Sequence, residues 1–386
     1  MGMMEKVLRL MGEKKASDVY IAANSPIQIK INGLTQPISA QPLPADGPLQ
    51  LLSEIVTPDQ LQEFQSTGEL NIAVPMPGVG RFRVSAMKQR GTCAVVIRYI
   101  SSEIPPFETL NIPPVLSKMI LGKHGLMLVV GATGSGKSTT LAALLDHRNA
   151  QMSGHILTIE DPVEYLFRNK KSVVNQREVG TDTASLYIAL KNALRQAPDV
   201  ILIGEIRDRE TMSLALSYAQ SGHLVLATMH ANNSYQALNR VLNFYPVEVR
   251  PSMLNDLASA LRAIVSQRLL RTVEGGRVPA VEVMVNSRLV SELIEKGDFF
   301  GVREALEKSM SEESQTFEAD LARLILSGLV TREEALTYAD SPTNLMWRLQ
   351  NDAAFNTSSG NAPSPEPGKG EGPSFSDFTL DVKPRA

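Results

Sequence analysis

The sequence contains very little cysteine, because Cys93 is the only one among its 386 residues. A single cysteine excludes both a disulfide within the chain and a zinc site built from four cysteines. It also suits a reducing compartment, where thiols stay free. We therefore expect a cytoplasmic protein that has neither a structural disulfide nor a tetra-cysteine zinc module.

Long apolar runs, an excess of positive charge and aromatic residues are also scarce. No apolar stretch approaches the roughly 20 residues of a membrane-spanning helix. The N-terminal residues mix charged and apolar side chains and show no cleavage site, unlike a signal peptide. The formal net charge is −3 and aromatic residues make up 5% of the chain, so we expect no nucleic-acid partner. We also expect no direct membrane insertion, so any work at a membrane has to pass through a partner protein.

What the sequence does contain is a change of pattern that predicts an α/β fold in several parts. Residues 1–100 combine helical and period-two segments, which indicates a small α+β domain. Prolines over residues 101–115 indicate a linker. Residues 116–270 alternate strands and helices, which is typical of a parallel sheet, and residues 271–350 are mainly helical in pattern. Serine, glycine and proline dominate residues 351–386, which predicts a disordered tail.

Periodicity also predicts individual elements. In the small domain, the apolar spacing predicts one helix over residues 48–65. In the larger domain, short apolar runs predict buried strands over residues 155–159, 200–203 and 224–228, separated by helices. A longer apolar pattern predicts a further helix over residues 251–271. From there onward we expect mostly helices before the tail.

The most specific stretch is a glycine-rich loop between an apolar strand and a helix. Its members are Gly131, Ala132, Thr133, Gly134, Ser135, Gly136, Lys137, Ser138 and Thr139. They fill the pattern G-x-x-x-x-G-K-[ST] of a phosphate-binding P-loop. Backbone N–H groups and the N-terminus of the following helix attract phosphate oxygens there. We expect Lys137 to reach the β- and γ-phosphates and the hydroxyl of Ser138 to bind Mg²⁺.

Acidic residues follow two of the predicted strands at their carboxyl ends, where open parallel sheets bind ligands. Glu205 comes just after one strand, in a position to hold Mg²⁺ through water or to orient an attacking water molecule. Another strand leads into Glu160, Asp161 and, beyond a proline, Glu164. A carboxylate near the γ-phosphate can serve as a general base. We assign this role to Glu164, because it projects farthest from the sheet.

A histidine and a set of arginines complete the candidate site. His230 follows a third predicted strand, and a neutral imidazole there can bind a phosphate oxygen and sense its loss. Arg81 and Arg83 share one face of a small-domain strand, and Arg98 lies on the next strand. An arginine can stabilise charge that develops on a transferred phosphoryl group. The alternative is an exposed strand face without a chemical role.

Together these stretches resemble the secretion-type, AAA-like ATPases. The Walker A, Asp, Walker B and His boxes of that superfamily match residues 131–139, 158–165, 199–208 and 222–232 in that order. Within the superfamily the chain is similar to the type IV pilus retraction ATPases of the PilT/PilU family, over roughly residues 4–350. The missing tetra-cysteine module separates it from pilus assembly and type II secretion ATPases. A divergent stretch over residues 287–294 favours the PilU branch.

The resemblance implies a PAS-like N-terminal domain and a RecA-like domain, assembled as a hexamer that hydrolyses ATP with Mg²⁺. It implies that Glu164 is the catalytic glutamate and that Arg83 and Arg98 clasp phosphate, either within a subunit or between neighbours. It also implies pilus retraction and twitching motility at the cytoplasmic face of the inner membrane, with a PilT-type paralogue and a platform protein as partners. Two alternatives stay open, namely an accessory ring subunit that modulates a sister ATPase and a RecA-like nucleic-acid motor.

Overall fold

The computed structural model describes residues 2–31, 34–100, 103–308 and 313–351. Past its first residue, the tail expected from residue 351 onward lies outside these ranges. The described chain forms two sheets, one of six strands and one of seven. The mixed α/β character predicted from the sequence is confirmed.

The N-terminal part forms a six-stranded antiparallel sheet with strand order β3-β2-β1-β6-β5-β4. Its elements are α1 (Met3–Glu13), β1 (Asp18–Ala22), β2 (Gln28–Ile31), β3 (Leu34–Pro37), α2 (Gly47–Ser53), α3 (Pro58–Thr67), β4 (Glu69–Met76), β5 (Gly80–Gln89) and β6 (Thr92–Ile100). Apolar side chains of the helices and of one sheet face, such as Leu8, Phe64 and Phe82, form its core. Alternation along β5 and β6 therefore leaves one face of this sheet outside that core.

The single helix predicted over residues 48–65 is wrong, because the structure has two helices there. Thr57 begins the second one with a capping box, in which its hydroxyl accepts from the Gln60 amide and the Gln60 side chain accepts from the Thr57 amide. Pro58 occupies the first helical turn, where its missing N–H costs nothing. The break therefore follows from a start signal inside an apolar pattern.

The segment between the two domains packs against the P-loop domain. It contains a 3₁₀ turn (Phe107–Thr109) and the short helix α4 (Val115–Met119). Ile112 and Leu116 are buried in the core beneath the larger sheet. Arg148 Nη1 donates to the carbonyl oxygens of Ile120 at 2.6 Å and Gly122 at 2.7 Å, and so fixes the end of this segment.

The P-loop domain is built on a seven-stranded sheet with strand order β13-β12-β7-β11-β10-β8-β9. All its neighbouring strands are parallel except β12 and β13. Helices cover both faces, which is why its central strands are buried throughout. The elements are β7 (Gly125–Val130), α5 (Lys137–Gln151), β8 (Gly154–Glu160), β9 (Ser172–Glu178), α6 (Leu186–Ala193), β10 (Val200–Ile203), α7 (Arg209–Gln220), β11 (Leu224–Met229), α8 (Ser234–Asn243), α9 (Arg250–Ala260), β12 (Leu261–Arg271) and β13 (Arg277–Val285), with 3₁₀ turns at Leu194–Gln196 and Val247–Val249.

The helix predicted over residues 251–271 is wrong in its second half. Helix α9 ends at Ala260, and Leu261 takes extended backbone angles as the first residue of β12. That strand lies beside β7 and forms a hairpin with β13, in which Leu270 pairs with Val278. The domain boundary predicted at residue 270 therefore cuts through one sheet, because β13 completes the sheet of the P-loop domain.

The remaining described chain contains the helices α10 (Arg288–Glu295), α11 (Phe299–Glu307), α12 (Phe317–Leu326), α13 (Arg332–Tyr338) and α14 (Pro342–Asn351). Helices α10 and α11 pack onto the core of the P-loop domain, whereas α12, α13 and α14 surround a separate apolar cluster. Phe317, Leu321 and Leu345 are fully buried in this cluster together with Leu270 of β12. Across the described residues, no helix is both long enough and apolar enough to cross a bilayer.

Candidate functional site

The glycine-rich loop lies between β7 and α5, as its flanks predict. Gly136 precedes α5 with φ at 90°, a left-handed angle that favours glycine. A β-carbon there would lie 2.7 Å from Gln267 Nε2. That amide donates to the Ser135 carbonyl at 2.8 Å, and Gln267 Oε1 accepts from the Thr140 hydroxyl at 2.8 Å. Strand β12 thus holds the loop in shape through one buried side chain.

Lys137 is the cation inside this loop. Its Nζ donates to the carbonyl oxygens of Gly131 at 2.9 Å and Ala132 at 2.8 Å. Burial lowers the pKa of Lys137 below its ordinary value, while the nearby carboxylates of Glu205 and Glu164 act to raise it. Lys137 therefore lines the same cavity as both acids, while its ammonium group is held by the loop carbonyls.

One cavity of about 560 Å³ collects most of the predicted site. Of the predicted site residues, those that line it are Arg83, Thr133, Gly134, Lys137, Ser138, Glu164, Glu205 and His230. They come from the small domain, the P-loop and the carboxyl ends of three strands of the larger sheet. The volume is in the range of small-molecule and cofactor pockets. Ala132 and Ser135 instead line a neighbouring cavity on the other side of the loop.

Glu205 and His230 are in direct contact across two strand ends. The Glu205 Oε1 atom lies 3.2 Å from Nε2 of His230. Its other oxygen, Oε2, accepts from Arg207 Nε at 2.8 Å and lies 2.7 Å from Nη2. Both carboxylate oxygens of Glu205 are thus in contact with neighbouring basic side chains, one with His230 and the other with Arg207.

The carboxylates of Glu160 and Glu164, at and after the end of β8, differ in their exposure to solvent. Glu160 accepts from the Thr158 hydroxyl at 2.6 Å and from Gln176 at 3.2 Å, and burial raises its pKa. Glu164 is exposed, lines the cavity and interacts electrostatically with Arg83. Of these two acids, Glu164 is therefore the one with access to a ligand in the cavity.

The three small-domain arginines have three different environments. Arg83 lines the cavity, and its pKa is lowered by burial while Glu164 acts to raise it. Arg98 is not among the residues that line this cavity; its Nε lies 2.9 Å from Asp18, and its side chain is 63% exposed. Arg81 reaches the larger domain, where Nη2 lies 2.8 Å from Glu178. The structure thus brings Arg83 to the other site residues but leaves Arg98 outside.

Sequence reasoning missed several residues that shape the site. Gln267 lies on β12, where the sequence pattern predicts a helix, and Glu178 lies on β9, which the pattern does not predict. Arg207 stands two residues after Glu205, and a cation so close to a candidate site carboxylate is a signal that could have been used. Tyr165, whose hydroxyl lies 2.8 Å from that of Thr139, carries no such signal.

The donor set fits a magnesium-bound nucleoside triphosphate. The loop offers a lysine, backbone N–H groups and a helix N-terminus to phosphate oxygens. Ser138 and Glu205 line the same cavity and supply a hydroxyl and a carboxylate, both oxygen ligands of the kind that Mg²⁺ accepts. Within the described ranges, no group of three or more His, Cys, Asp or Glu side chains could hold a metal ion. A Mg²⁺ ion here would take phosphate oxygens and water molecules as its further ligands.

The fold and the site define a P-loop nucleotide-binding protein whose cavity is completed by a second domain. The chain matches the family model of the Type II/IV secretion system protein over residues 3–283. It therefore belongs to that family, within its PilT/PilU group, as the sequence resemblance predicts.

Relatives of known name support this placement. The chain is 45% identical to the Type IV pilus ATPase PilU of Pseudomonas aeruginosa over 342 residues, which are 88% of this chain and 90% of that protein. It is 38% identical to the type IV pilus retraction ATPase PilT of the same organism over 339 residues, 88% of this chain and 98% of PilT. The crystal structure of the pilus retraction motor PilT with bound ADP matches with a TM-score of 0.84 and 37% identity, covering 90% of this chain and 99% of that one.

Proposed function

We propose that this protein hydrolyses ATP in the cavity between its two domains and couples hydrolysis to the mechanical work of a type IV pilus motor. The observation that carries the proposal is that Arg83 of the small domain lines the same cavity as Lys137, Glu164 and Glu205. A movement of the small domain would then change the position of Arg83 in the nucleotide cavity, which couples domain movement to hydrolysis. The relatives named as type IV pilus ATPases support the assignment to pili.

Each site residue has a distinct role in this proposal. Lys137 and the loop amides bind the phosphates, and Ser138 and Glu205 hold Mg²⁺, which neutralises phosphate charge. Glu164 takes the proton of the attacking water molecule. His230, in contact with Glu205, senses the γ-phosphate, and Arg83 stabilises the charge of the transition state. Arg98 contributes by holding Asp18 on the neighbouring strand and joins the phosphates only if the domains rearrange.

We also propose the assembly and the setting. The protein forms a hexamer at the cytoplasmic face of the inner membrane and assists retraction there together with a PilT-type paralogue. An inner-membrane platform protein of the pilus is its membrane contact. The similarity to PilU and to PilT over nearly their whole lengths supports this combination.

The test is ATP turnover by the purified full chain with Mg²⁺, compared with Lys137→Ala and the matched control Lys123→Ala. Lys123 is exposed and outside the cavity. Turnover in the wild type and the control, and none in folded Lys137→Ala, is the expected result. Nucleotide binding without turnover in the wild type would instead indicate an accessory ring subunit, and a gel shift with DNA or RNA would indicate a nucleic-acid motor.

The pilus assignment needs a cellular measurement. Deletion of the gene should increase surface pili or reduce twitching, and the effect should depend on whether a PilT homologue is present. A deletion strain with normal pili and normal twitching in both backgrounds would contradict the assignment to retraction.

A further inference from the structure

A largely buried ion pair joins the two domains beside the nucleotide cavity. Arg81 Nη2 of β5 lies 2.8 Å from Oε2 of Glu178, the last residue of β9. The two side chains are only 18% and 4% exposed. An ion pair with this little solvent contact is sensitive to the loss of either partner, because the charge left behind stays buried.

The same carboxylate also holds the acidic loop. Oε2 of Glu178 accepts from the Val163 amide at 3.0 Å, while Oε1 accepts from the Thr181 hydroxyl at 3.1 Å. Val163 is itself buried and directly precedes Glu164. A single oxygen atom of Glu178 thus contacts a cation of one domain and the loop of the other domain that carries the candidate general base.

On the small domain, one strand carries both the ion-pair arginine and the cavity arginine. Arg81 and Arg83 are two residues apart on β5 and so project from the same face of the sheet. Arg83 lines the cavity with Glu164, and Arg81 lies beside Glu178. A rigid-body movement of the small domain that separates Arg81 from Glu178 therefore also displaces Arg83 relative to the cavity.

We propose that Arg81 and Glu178 form a latch between the domains, which holds Arg83 in the cavity and keeps Glu164 in its working position. Both are positioning residues, because neither acts on the nucleotide itself. The inference rests on the proposed ATPase function for its kinetic consequence, whereas its structural consequence is independent of turnover. Closure of the domains would complete the site, and opening of the latch would disable it.

The kinetic test compares Arg81→Gln with Arg81→Lys, with Arg90→Gln as the matched control. Arg90 is an exposed arginine in the turn of the β5–β6 hairpin and does not line the cavity. We expect Arg81→Gln to lower kcat about tenfold with little change in KM, because small misplacements of catalytic groups are costly. Arg81→Lys should recover most of the rate, since its ammonium restores the charge opposite Glu178, and Arg90→Gln should match the wild type.

The structural test measures the distance between spin labels at Gln62 and Lys191, which are exposed residues of the two domains. Both sites are changed to cysteine in a Cys93→Ser background. We expect a longer or broader distance distribution in Arg81→Gln than in the wild type, and recovery in Arg81→Lys. Glu178→Gln keeps an acceptor for Val163 but loses the charge, so it should give the same shift and serves if Arg81→Gln does not fold.

The outcomes separate the latch from the function on which it rests. Unchanged kcat and unchanged label distances in Arg81→Gln and Glu178→Gln would overturn the latch. A lower kcat without a distance change, or without rescue by lysine, would also overturn it. A distance shift in a protein whose wild type hydrolyses no ATP would support the latch and refute the proposed function.

Discussion

Individual contacts in the site favour different roles for Glu164 and Glu205. Glu205 is held by His230 on one oxygen and by Arg207 on the other. Glu164 has no ion pair within 4.0 Å in the described part of the chain and is open to the cavity. A carboxylate that is to accept a proton from water needs a free oxygen, which favours Glu164 as the general base.

Glu164→Gln should therefore retain ATP binding but slow hydrolysis by about 10²–10⁴-fold, because an amide does not accept the proton. Nucleotide titration and single-turnover hydrolysis measure the two effects separately. Glu274→Gln, an exposed change in the β12–β13 turn, is the control and should behave as the wild type. If Glu205→Gln binds tightly without turnover while Glu164→Gln stays active, the two roles are the reverse of those assigned.

Much of the site was predictable at this scale, because the P-loop is a local signal. Its residues follow one another in the chain, so spacing alone places Lys137 and Ser138. The acids and His230 were found through a topological rule, that strand carboxyl ends meet at one edge. The environments of Arg83 and Arg98 were beyond such rules, because both lie on neighbouring strands and only tertiary packing decides which one reaches the cavity.

At the scale of elements, β12 connects the nucleotide site to the C-terminal helices. Arg268 of this strand pairs with Asp340, donates to the Tyr338 carbonyl and donates to the Asn232 carbonyl at 3.2 Å. Its guanidinium also lies 3.8 Å from the centre of the Phe317 ring. Asn232 stands two residues after His230. Helices α12 and α13 are thus fastened to the loop that carries the proposed phosphate sensor.

Asp340→Asn should destabilise this junction, because it removes the charge opposite Arg268 while leaving the side chain in place. We expect a loss of about 1–3 kcal/mol in the free energy of unfolding, as for a hydrogen bond to a charged group. Urea denaturation measures it, with Glu307→Gln as the control because that carboxylate pairs with Arg303 on the surface. Equal losses in both variants would show that the Arg268 contact has no special weight.

The misreading of β12 depends on a contact distant in sequence, unlike the break between α2 and α3, which has a local start signal. The apolar residues of β12 are dense enough to suit a buried helix or a buried strand, and periodicity does not separate the two. Its pairing with β7, more than a hundred residues earlier, decides for the strand. β13 pairs with β12 in a hairpin, so it is not predicted where the sequence pattern of β12 predicts a helix. In contrast, β8, β10 and β11 were found because short apolar runs between helices form a regular pattern.

At the scale of the whole molecule, the described fold ends with α14, whose Leu345 is fully buried. A truncation after Asn351 should leave ATP turnover and the number of subunits in the oligomer unchanged, because the removed residues are poor in apolar side chains. A truncation before Pro342 should reduce stability, since it removes Leu345 from its core. Turnover assays and sedimentation check both. If the protein truncated after Asn351 no longer forms the oligomer, the tail takes part in assembly.

The position of Arg83 also bears on how subunits cooperate. It lines the cavity formed by its own chain, so the clasp should act within a subunit. Mixing Arg83→Ala with Lys137→Ala subunits should then leave the mixed rings inactive, because no subunit has both residues. ATP turnover across mixing ratios measures this. Recovery of activity in mixed rings would instead place the clasp between neighbouring subunits.

The most direct test of the link between domain closure and hydrolysis is kcat for Arg83→Ala, measured beside nucleotide affinity in the same preparation. If Arg83 acts on the transition state, kcat should fall by about 10³-fold while the affinity for ATP changes little. The Arg98→Ala change should lower kcat by a smaller factor, because Arg98 pairs with Asp18 outside the cavity. A normal kcat in folded Arg83→Ala would contradict the coupling of closure to hydrolysis and return Arg83 to a strand face without a chemical role.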